Sequence, residues 1–369
     1  MSKYDIAAYI WPSYTGDEPR SRMFWPEGIG EWQSVKSAGA KFEGHNWPRV
    51  PLLGYQNEAD PAVMEQQIDI AVRHGVNVFI YDWYWYDRRP FLECCLNDGF
   101  LAASNNKSMK FYIMWANHDA NHLWNKELSD TDVGSTVIWR GDVERSEFEK
   151  IGQRLIDKYF VLDNYYKING CPVFMIYDTA NFIRGIGGVA AAADAIRWLK
   201  AKAREAGLPG VHVQIAGRRN SHNFSGVDGG MDNVSVIREL GIDSFSHYQY
   251  AHLCDVNRDY PTVFSEIRDI WYSSESSYGI PYYPHVSCGW DNNPRFKKFI
   301  PRILSENTPA NIEAALREAK RYVDEHKLDA PLITVNSWNE WTESSYLLPD
   351  DLYGYGYLEA IKRVFVDEE

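Results

Sequence analysis

Short apolar runs alternate with longer amphipathic stretches along the whole chain. The runs are rich in Val, Ile, Phe and Tyr, which favour buried strands, and the longer stretches repeat their apolar positions with a helical period. We predict strands within residues 5–12, 76–87, 110–119, 171–178, 211–217, 244–250, 282–295 and 331–341. We predict helices over residues 61–74, 90–104, 144–160, 189–206, 261–271, 309–325 and 352–364.

This alternation predicts a parallel sheet covered by helices. Eight predicted strands, all but the fifth followed by a predicted helix, with no linker or low-complexity tract between them, favour a (β/α)8 or TIM barrel with long loops after the strands. We expect it to form one catalytic domain over residues 1–369. A doubly wound open sheet is the alternative. It is disfavoured because no GxGxxG or GxxxxGKS/T phosphate loop follows the first strand.

Aromatic residues are unusually abundant, with 14 Trp and 24 Tyr among 369 residues. Tyr and Trp have polar tips that need partners, so many of these rings are expected to line clefts that suit flat ligands such as sugars. The net charge of −13, without a basic run, argues against a nucleic-acid partner. The five cysteines lack CxxC spacing, which argues against a disulfide framework and a zinc cluster.

The length of the apolar runs bears on localisation. No run approaches the length of a membrane span, so no membrane partner is predicted, and the first residues lack the apolar core of a signal peptide. We expect a cytoplasmic protein, or a periplasmic or secreted one if a leader has been removed.

Polar and aromatic residues gather after nearly every predicted strand. The active site of a (β/α)8 barrel lies at the carboxyl ends of its strands, so these residues are expected to meet there. Rings stack on the apolar face of a sugar, while amide, carboxyl, imidazole and guanidinium groups bind its hydroxyls. The candidate substrate-binding residues are Tyr9, Trp11, His45, Asp82, Tyr84, Trp115, Asn117, His118, Asp119, Tyr177, Tyr248, Trp290, Asp291, Arg295, Asn336, Trp338 and Asn339.

Two glutamates three residues apart, Glu340 and Glu343, follow the eighth strand in "NSWNEWTESSY". Two carboxyl groups beside one glycosidic bond, one protonated and one ionised, are the minimum machinery for hydrolysing it. We predict that they are the catalytic pair and that Arg295 positions a carboxylate. We expect both carboxyl groups to face the barrel mouth, and neither to be held in a buried ion pair. The ExxE spacing alone is also common on solvated helices.

Some candidates have a second interpretation. His118 and Asp119 could bind a metal, but hydrogen bonding to substrate or to their loop is favoured because no second group has zinc spacing. Asp82 could be a buried acceptor for N–H groups of a neighbouring loop. Residues 291–294 could form only a turn, since Asn, Asp and Pro favour turns.

Several of these segments resemble a known family. "VNSWNEWTES" resembles the N-E-W-H-E-G motif of glycoside hydrolase family 99, the endo-acting α-mannosidases and mannanases. With "DIAAYIWPSY", "VNVFIYDWYWYD", "MKFYIMWANHD" and "GWDNNPR", the chain more closely resembles the family-99-like, WbsX-type proteins of bacterial polysaccharide gene clusters. The likeness spans residues 5–346 and implies a (β/α)8 barrel and a glycoside hydrolase acting on carbohydrate.

The resemblance also implies roles for the glutamates. Glu340 would assist the substrate's own 2-hydroxyl, which attacks to form a 1,2-anhydro sugar, and Glu343 would be the general acid/base of a retaining mechanism. The chain has Thr342 where the family has His, and Ser344 where it has Gly. Residues beside the carboxylates are expected to shape the sugar subsite. No metal or organic cofactor is implied.

Two other functions are alternatives. One is a glycosyltransferase in O-antigen or capsule assembly, which the WbsX label suggests, although the sequence has no convincing nucleotide-phosphate loop or DxD metal site. The other is a barrel that binds carbohydrate without cleaving it. The presence of both glutamates weighs against that second alternative.

Overall fold

The computed structural model describes residues 3–16, 18–218, 224 and 226–368, and within them eight parallel strands form the central sheet. They are β1 Asp5–Ile10, β2 Val78–Tyr86, β3 Lys110–Trp115, β4 Cys171–Ile176, β5 His212–Ala216, β6 Ser244–Ser246, β7 His285–Ser287 and β8 Leu332–Asn336. Their order in the sheet is β6-β5-β4-β3-β2-β1-β8-β7. The predicted (β/α)8 barrel is confirmed.

The sheet closes almost completely between β6 and β7. Phe245 N donates to Pro281 O at 3.1 Å and Tyr283 N donates to Phe245 O at 2.9 Å, so backbone hydrogen bonds continue across this seam. Elsewhere in the ring β1 pairs with both β2 and β8, with Ile6 opposite Ile333. The first and last barrel strands of the chain are therefore neighbours, and the barrel needs both of them.

Of the described α-helices, the first lies against the 3-10 turns Asn293–Arg295 and Trp341–Glu343 at the barrel mouth, and the others cover the outside of the sheet. The helices are α1 Trp32–Lys36, α2 Pro61–Arg73, α3 Arg145–Leu155, α4 Thr179–Ile186, α5 Val189–Glu205, α6 Asn233–Leu240, α7 Tyr260–Tyr278, α8 Pro309–Glu325 and α9 Gly356–Phe365. Side chains of Asp60, Asp259 and Thr308 accept backbone N–H groups at the starts of α2, α7 and α8, and each is followed by proline in the first turn. None of the described helices is both long and apolar enough to cross a membrane.

The predicted helices lie close to observed ones, with two kinds of difference. Helices α1, α4 and α6 were not predicted, because segments of five to eight residues contain too few turns for a clear helical period. Within residues 90–104 the structure has a π-helix over Cys95–Phe100 instead of a long α-helix. Strands β6 and β7 are shorter than predicted because the chain leaves the sheet early to form the loops at the barrel mouth.

Side chains of the strands alternate between the barrel interior and the helix layer. On β3, Met114 faces the interior, where it lines a cavity described below. The next residue, Trp115, points outward and packs against Phe148 of α3 and Phe182 of α4, with ring centroids 6.0 and 6.2 Å away. This period of two is a property of extended backbone. It decides which of the strand-end residues can reach the mouth of the barrel.

Candidate active site

A cavity of about 170 Å³ opens at the carboxyl ends of the strands. It combines rings, imidazoles and charged groups, and its lining residues are Trp11, Asp82, Tyr84, Met114, Ala116, His118, Trp124, Tyr177, Tyr248, His252, Arg295, Glu340 and Glu343. Nine of these 13 residues are among the predicted site residues. The cavity occupies the end of the barrel where enzymes of this architecture have their active sites.

Glu340 and Glu343 lie on a short hairpin that follows β8. Its two arms pair antiparallel, and a 3-10 turn over Trp341–Glu343 forms its tip. Ser337 Oγ accepts the N–H of Glu340 at 2.7 Å and donates to Ser345 O at 2.6 Å, so one hydroxyl ties the arms together. The tight turn brings both carboxyl groups into one cavity, as their spacing in the sequence suggested.

The two positions that differ from the family-99 motif do not line the cavity. Ser344 ends the 3-10 turn with φ 53°, the left-handed conformation that glycine adopts most easily. Thr342 is fully buried behind the turn. A glycine at position 344 would therefore satisfy a backbone requirement, and the structure gives no support to the expectation that these positions shape a sugar subsite.

Arg295 is buried among three carboxylates. Its Nη1 lies 2.6 Å from Glu343 Oε1, its Nη2 lies 3.4 Å from Glu340 Oε1, and its Nε lies 2.8 Å from Glu31 Oε1. Glu31 is itself fully buried and precedes α1 in the long loop after β1. The expectation that neither catalytic candidate would be held in a buried ion pair is therefore wrong. The position of Arg295 agrees with a role in holding carboxylates.

In each glutamate, one carboxyl oxygen makes no hydrogen bond to Arg295. Glu340 Oε2 accepts a hydrogen bond from Tyr248 Oη at 2.9 Å. Glu343 Oε2 is buried and has no hydrogen-bond partner among the described residues. A buried oxygen without a partner raises the free energy of the folded protein. A proton on this carboxyl, or a substrate hydroxyl beside it, would reduce that cost.

Burial controls the protonation of the cluster. Burial, and then the charge of Glu340, raise the pKa of Glu343 to about 8, although Arg295 opposes the shift. Burial also raises the pKa of Glu340, again against Arg295. The pKa of Asp82 is raised well above its usual range by burial and by the Glu340 charge. The cavity thus contains a protonated carboxyl, Glu343, near neutral pH.

Rings and neutral imidazoles form the walls of the cavity. The ring centroids of Trp11 and Trp124 are 5.3 Å apart, and Tyr84 lies 5.8 Å from Trp124. Burial lowers the pKa of His252 to about 3 and also lowers the pKa of His118, so both imidazoles are neutral at pH 7. Such walls offer stacking faces together with neutral donors and acceptors for hydroxyl groups.

Asp291 joins the loop after β7 both to the hairpin and to the long loop after β1, which carries His45. Asp291 Oδ2 lies 2.6 Å from His45 Nε2 and accepts from Trp47 Nε1 at 2.9 Å. The backbone N–H of Asp291 donates to Glu343 O at 2.7 Å. His45 and Asp291 therefore support the position of Glu343 without lining the cavity. Residues 291–294, which could have formed only a turn, continue into a 3-10 helix, Asn293–Arg295, and this helix places Arg295 beside the glutamates.

Asparagines at the strand ends join neighbouring elements. Asn339 Oδ1 accepts from Trp11 N at 2.8 Å and its Nδ2 donates to Trp11 O at 2.9 Å, which aligns the end of β1 with the hairpin. Asn117 Oδ1 accepts from Asp178 N and its Nδ2 donates to Asp178 O, both at 2.8 Å. Asn336 Oδ1 accepts from a glutamine amide on the loop after β6 at 3.1 Å. These predicted residues lie behind the cavity lining and hold the strand ends and their loops in position.

Two further predicted residues also lie behind the cavity. Tyr9 Oη donates to His247 O at 2.9 Å inside the barrel. Asp119 Oδ1 accepts from Gly141 N at 2.8 Å, and His118 Nδ1 lies 2.9 Å from Asp119 O. Within the described parts of the chain, no three His, Cys, Asp or Glu side chains are arranged to hold a metal ion. These contacts give no support to the metal-binding interpretation of His118 and Asp119.

Three predicted tryptophans do not reach the cavity. Trp115 points to the helix layer because the alternation of β3 turns Met114 inward. Trp338 donates its Nε1 to Gln67 of α2 at 2.7 Å. Trp290 packs against an arginine side chain from its own loop, with the guanidinium 5.7 Å from the ring. We therefore leave these three residues out of the proposed site.

Sequence reasoning missed four residues that line the cavity, Met114, Ala116, Trp124 and His252, and also Glu31 beside Arg295. Glu31 and Trp124 come from long loops that give no periodic signal, and only the tertiary contacts show their place. His252 lies six residues beyond the end of β6, at the end of a 3-10 turn. A search extended two residues past the predicted sixth strand, which ends at residue 250, would have included His252.

A family model and two sequence relatives match this chain over most of its length. The family described as "Glycosyltransferase WbsX" matches residues 6–361. "Uncharacterized protein WxcX" from Xanthomonas campestris pv. campestris (strain B100) is 24% identical over 361 residues, which cover 94% of this chain and 47% of that protein. The chain thus spans about half the length of the curated relatives it matches.

Solved structures share the fold. A "Glycoside hydrolase-like protein" superposes with a TM-score of 0.63 at 14% identity, covering 99% of this chain and 94% of that one. The GH99 endo-α-mannosidase of Bacteroides thetaiotaomicron, in complex with bis-tris-propane, gives a TM-score of 0.61 at 14% identity, with coverages of 98% and 96%. The fold is thus glycoside-hydrolase-like, and the predicted resemblance is confirmed. This chain belongs to the WbsX glycosyltransferase family.

Proposed function

We propose that this chain is a glycoside hydrolase that cleaves an oligosaccharide or polysaccharide with retention of anomeric configuration. The observation that carries this proposal is the pair of buried glutamates, Glu340 and Glu343, which share Arg295 in an aromatic-walled cavity. The glycoside-hydrolase-like fold supports it. The substrate is a carbohydrate, and no metal or organic cofactor takes part in the proposed steps.

Glu343 is the general acid/base. Burial keeps its carboxyl protonated at neutral pH, since its pKa is raised to about 8. Arg295 occupies Oε1, whereas the second oxygen, Oε2, has no partner among the described residues and can present its proton to a glycosidic oxygen. A raised pKa of this kind is what a general acid near pH 7 needs.

Glu340 is the base that acts on the substrate's 2-hydroxyl. Arg295 at 3.4 Å and the Tyr248 hydroxyl at 2.9 Å both favour its ionised form. Glu340 accepts the proton of the 2-hydroxyl while O2 attacks C1, and the bond from C1 to the leaving oxygen breaks as Glu343 protonates that oxygen. The intermediate is a 1,2-anhydro sugar.

The second half of the reaction reverses these roles. Glu343, now ionised, takes a proton from a water molecule whose oxygen attacks C1, and the bond from C1 to O2 breaks. O2 receives its proton back from Glu340. Two inversions at C1 give net retention, and both glutamates return to their starting protonation states.

The test compares Glu343→Gln and Glu340→Gln with wild type on a panel of polysaccharides, following product release and anomeric configuration. Removing a general acid or base lowers the rate by roughly 100- to 10,000-fold, so we expect losses of that size in kcat/KM. Aryl glycosides with acidic leaving groups should restore the kcat/KM of Glu343→Gln but not of Glu340→Gln, because such leaving groups depart without a proton and kcat/KM reports the first half of the reaction. Wild-type activity should fall as pH rises through about 8, where Glu343 loses its proton.

The matched control is Glu239→Gln, an exposed glutamate on α6, which should behave as wild type. Products of inverted configuration would contradict the mechanism. If no glycan in the panel is cleaved by wild type, the hydrolase assignment is wrong.

The family description favours a second candidate, a glycosyltransferase. In that reaction the same cavity would hold an acceptor sugar, and turnover would require a sugar nucleotide. Transfer from a sugar nucleotide, with no hydrolysis of glycans, would support this alternative. Binding of glycans without turnover of either kind would identify a carbohydrate-binding barrel.

A further inference from the structure

Tyr248 bridges two buried carboxyl groups in the cavity. Its Oη lies 2.9 Å from Asp82 Oδ2 and 2.9 Å from Glu340 Oε2. Asp82 comes from β2 and Glu340 from the hairpin after β8, so the tyrosine joins two strands' ends across the barrel mouth. All three side chains line the cavity and are almost completely buried.

A phenol has one proton, so it can donate to only one of these oxygens at a time. If both carboxyl groups were ionised, the other 2.9 Å contact would place two lone pairs against each other in a buried site. The geometry is favourable only if one carboxyl carries a proton and donates it to Tyr248 Oη. One of Asp82 and Glu340 is therefore a neutral acid.

The surrounding charges decide which of the two is neutral. Glu340 has Arg295 beside its second oxygen at 3.4 Å, which favours its carboxylate form, while burial and the charge of Glu31 oppose it. Asp82 faces Glu340, Glu343 and Tyr248, and its buried Oδ1 has no hydrogen-bond partner among the described residues. The stabilising cation is thus on the Glu340 side of the bridge.

We propose that Asp82 is a neutral positioning residue, whose carboxyl proton is donated to Tyr248 so that the tyrosine proton points at Glu340. The chain of donors runs from Asp82 Oδ2 through Tyr248 Oη to Glu340 Oε2. It keeps Glu340 ionised and oriented for the substrate's 2-hydroxyl, and in this respect the inference rests on the proposed function. The alternative of Asp82 as an acceptor for loop N–H groups does not match its contact with the Tyr248 hydroxyl.

Burial agrees with this direction. It is the main cause that raises the pKa of Asp82 well above its usual range, and the negative charge of Glu340 adds to it. Tyr248 also keeps its proton, because burial and its two acidic neighbours, Asp82 and Glu340, raise its pKa well above its usual range.

A measurement of protonation tests the proposal without any substrate. The chain is labelled with 13C at the aspartate carboxyl carbon, and carbon NMR spectra are recorded from acidic to alkaline pH. The Asp82 resonance is assigned by its loss in Asp82→Asn, and we expect it to stay at the protonated position through neutral pH. Titration of this resonance at an ordinary aspartate pKa, roughly 4, would overturn the proposal.

A second variant keeps the test decisive if Asp82→Asn does not fold. Tyr248→Phe removes the hydroxyl between the two carboxyl groups and leaves the ring. Asp82 then loses its hydrogen-bond acceptor, so the resonance that this variant displaces belongs to the bridge. No aspartate resonance displaced by Tyr248→Phe would overturn the proposal.

The activity readout separates a neutral acid from a charged one. Asparagine has an uncharged N–H donor in place of the carboxyl proton, so Asp82→Asn should lose much less kcat/KM than Asp82→Ala. Asp82→Ala and Tyr248→Phe should each lower kcat by roughly 10- to 100-fold, the range expected for loss of a hydrogen bond to a charged group. Tyr248→Phe removes the donor to Glu340 and destabilises its ionised form, so the acidic limb of the pH profile should move to higher pH in that variant.

Asp82→Asn as inactive as Asp82→Ala would show that a charged Asp82 is needed and would overturn the proposal. The NMR result stands whether or not glycans are hydrolysed. If Asp82 is neutral and the protein cleaves no glycan, the proposed function is wrong and the donor chain is retained. If Asp82 is ionised in an active hydrolase, the proposed function is retained and the donor chain is wrong.

Discussion

Glu58 lies beneath the hairpin that carries the two catalytic candidates, and it shows how burial sets the state of a single carboxyl group. Its oxygens accept from Asn339 Nδ2 at 2.7 Å and Gln67 Nε2 at 3.4 Å. Burial raises its pKa from 4.5 to about 8, because these amides compensate only part of the lost hydration. Between these two values the folded protein holds a proton that the unfolded chain releases.

The free energy of unfolding should therefore decrease as pH rises through this window, by about 1.4 kcal/mol per pH unit from Glu58 alone. Its contribution is complete below the unfolded pKa of 4.5 and is lost as pH approaches about 8. Glu58→Gln removes the titration, so the variant should show a smaller pH slope. Urea denaturation at about pH 5.5 and about pH 7.5 measures both slopes.

Glu239→Gln is the control for this experiment, since an exposed glutamate should leave the slope unchanged. Glu343 titrates in all three proteins, so the difference between them isolates Glu58. Equal slopes in Glu58→Gln and wild type would show that Glu58 is ionised in the folded protein.

Two elements meet backbone to backbone at the site. A Cβ on Gly289, in the loop after β7, would lie 2.2 Å from Ser344 O of the hairpin after β8. Close by, Asp291 N donates to Glu343 O at 2.7 Å. The position of Glu343 therefore depends on a contact between two loops that leaves no room for a side chain.

Gly289→Ala should force these loops apart and destabilise the protein by about 1–3 kcal/mol, the usual cost of overpacking a buried contact. Because the hairpin moves, activity should fall as well as the melting temperature. Gly39→Ala is the matched control, since Gly39 is exposed and has no atom within 4 Å of its would-be Cβ. Equal melting temperatures for the two variants would show that the two loops can move apart without loss of stability.

The whole barrel is joined through the two ends of the chain. β1 pairs with β8 on one side and β2 on the other, and backbone bonds bridge β6 and β7. Neither half of the chain can complete this ring alone. We propose that the chain folds as one domain.

A single domain should unfold in one step. Far-UV circular dichroism follows the helices, and fluorescence follows the 14 tryptophans. We expect the two signals to give coincident denaturation curves. Separate transitions, one with helices lost while tryptophans remain buried, would indicate two independently folding parts.

Much of the site was predictable because two regularities act locally. Barrel topology gathers strand ends at one mouth, so Asp82, Tyr177 and Glu340 could be placed there from the sequence. The alternation of a strand was available too, and strict use of it would have exchanged Trp115 for Met114. The long loops have no such regularity, and Glu31 could not be foreseen.

The sequence by itself determined the barrel, the mouth at which its polar residues collect, and the pairing of Glu340 with Glu343. Strand and helix periods and a three-residue spacing are local properties, and they can be recognised without knowing which residues come into contact in the folded protein. Only the tertiary structure decided the protonation of the site. Contacts such as Arg295 with Glu31, 264 residues apart, and Tyr248 with Asp82, 166 residues apart, form when the ring closes and water is excluded. A carboxyl group's charge depends on those neighbours and on its burial, and neither is encoded in the residues next to it.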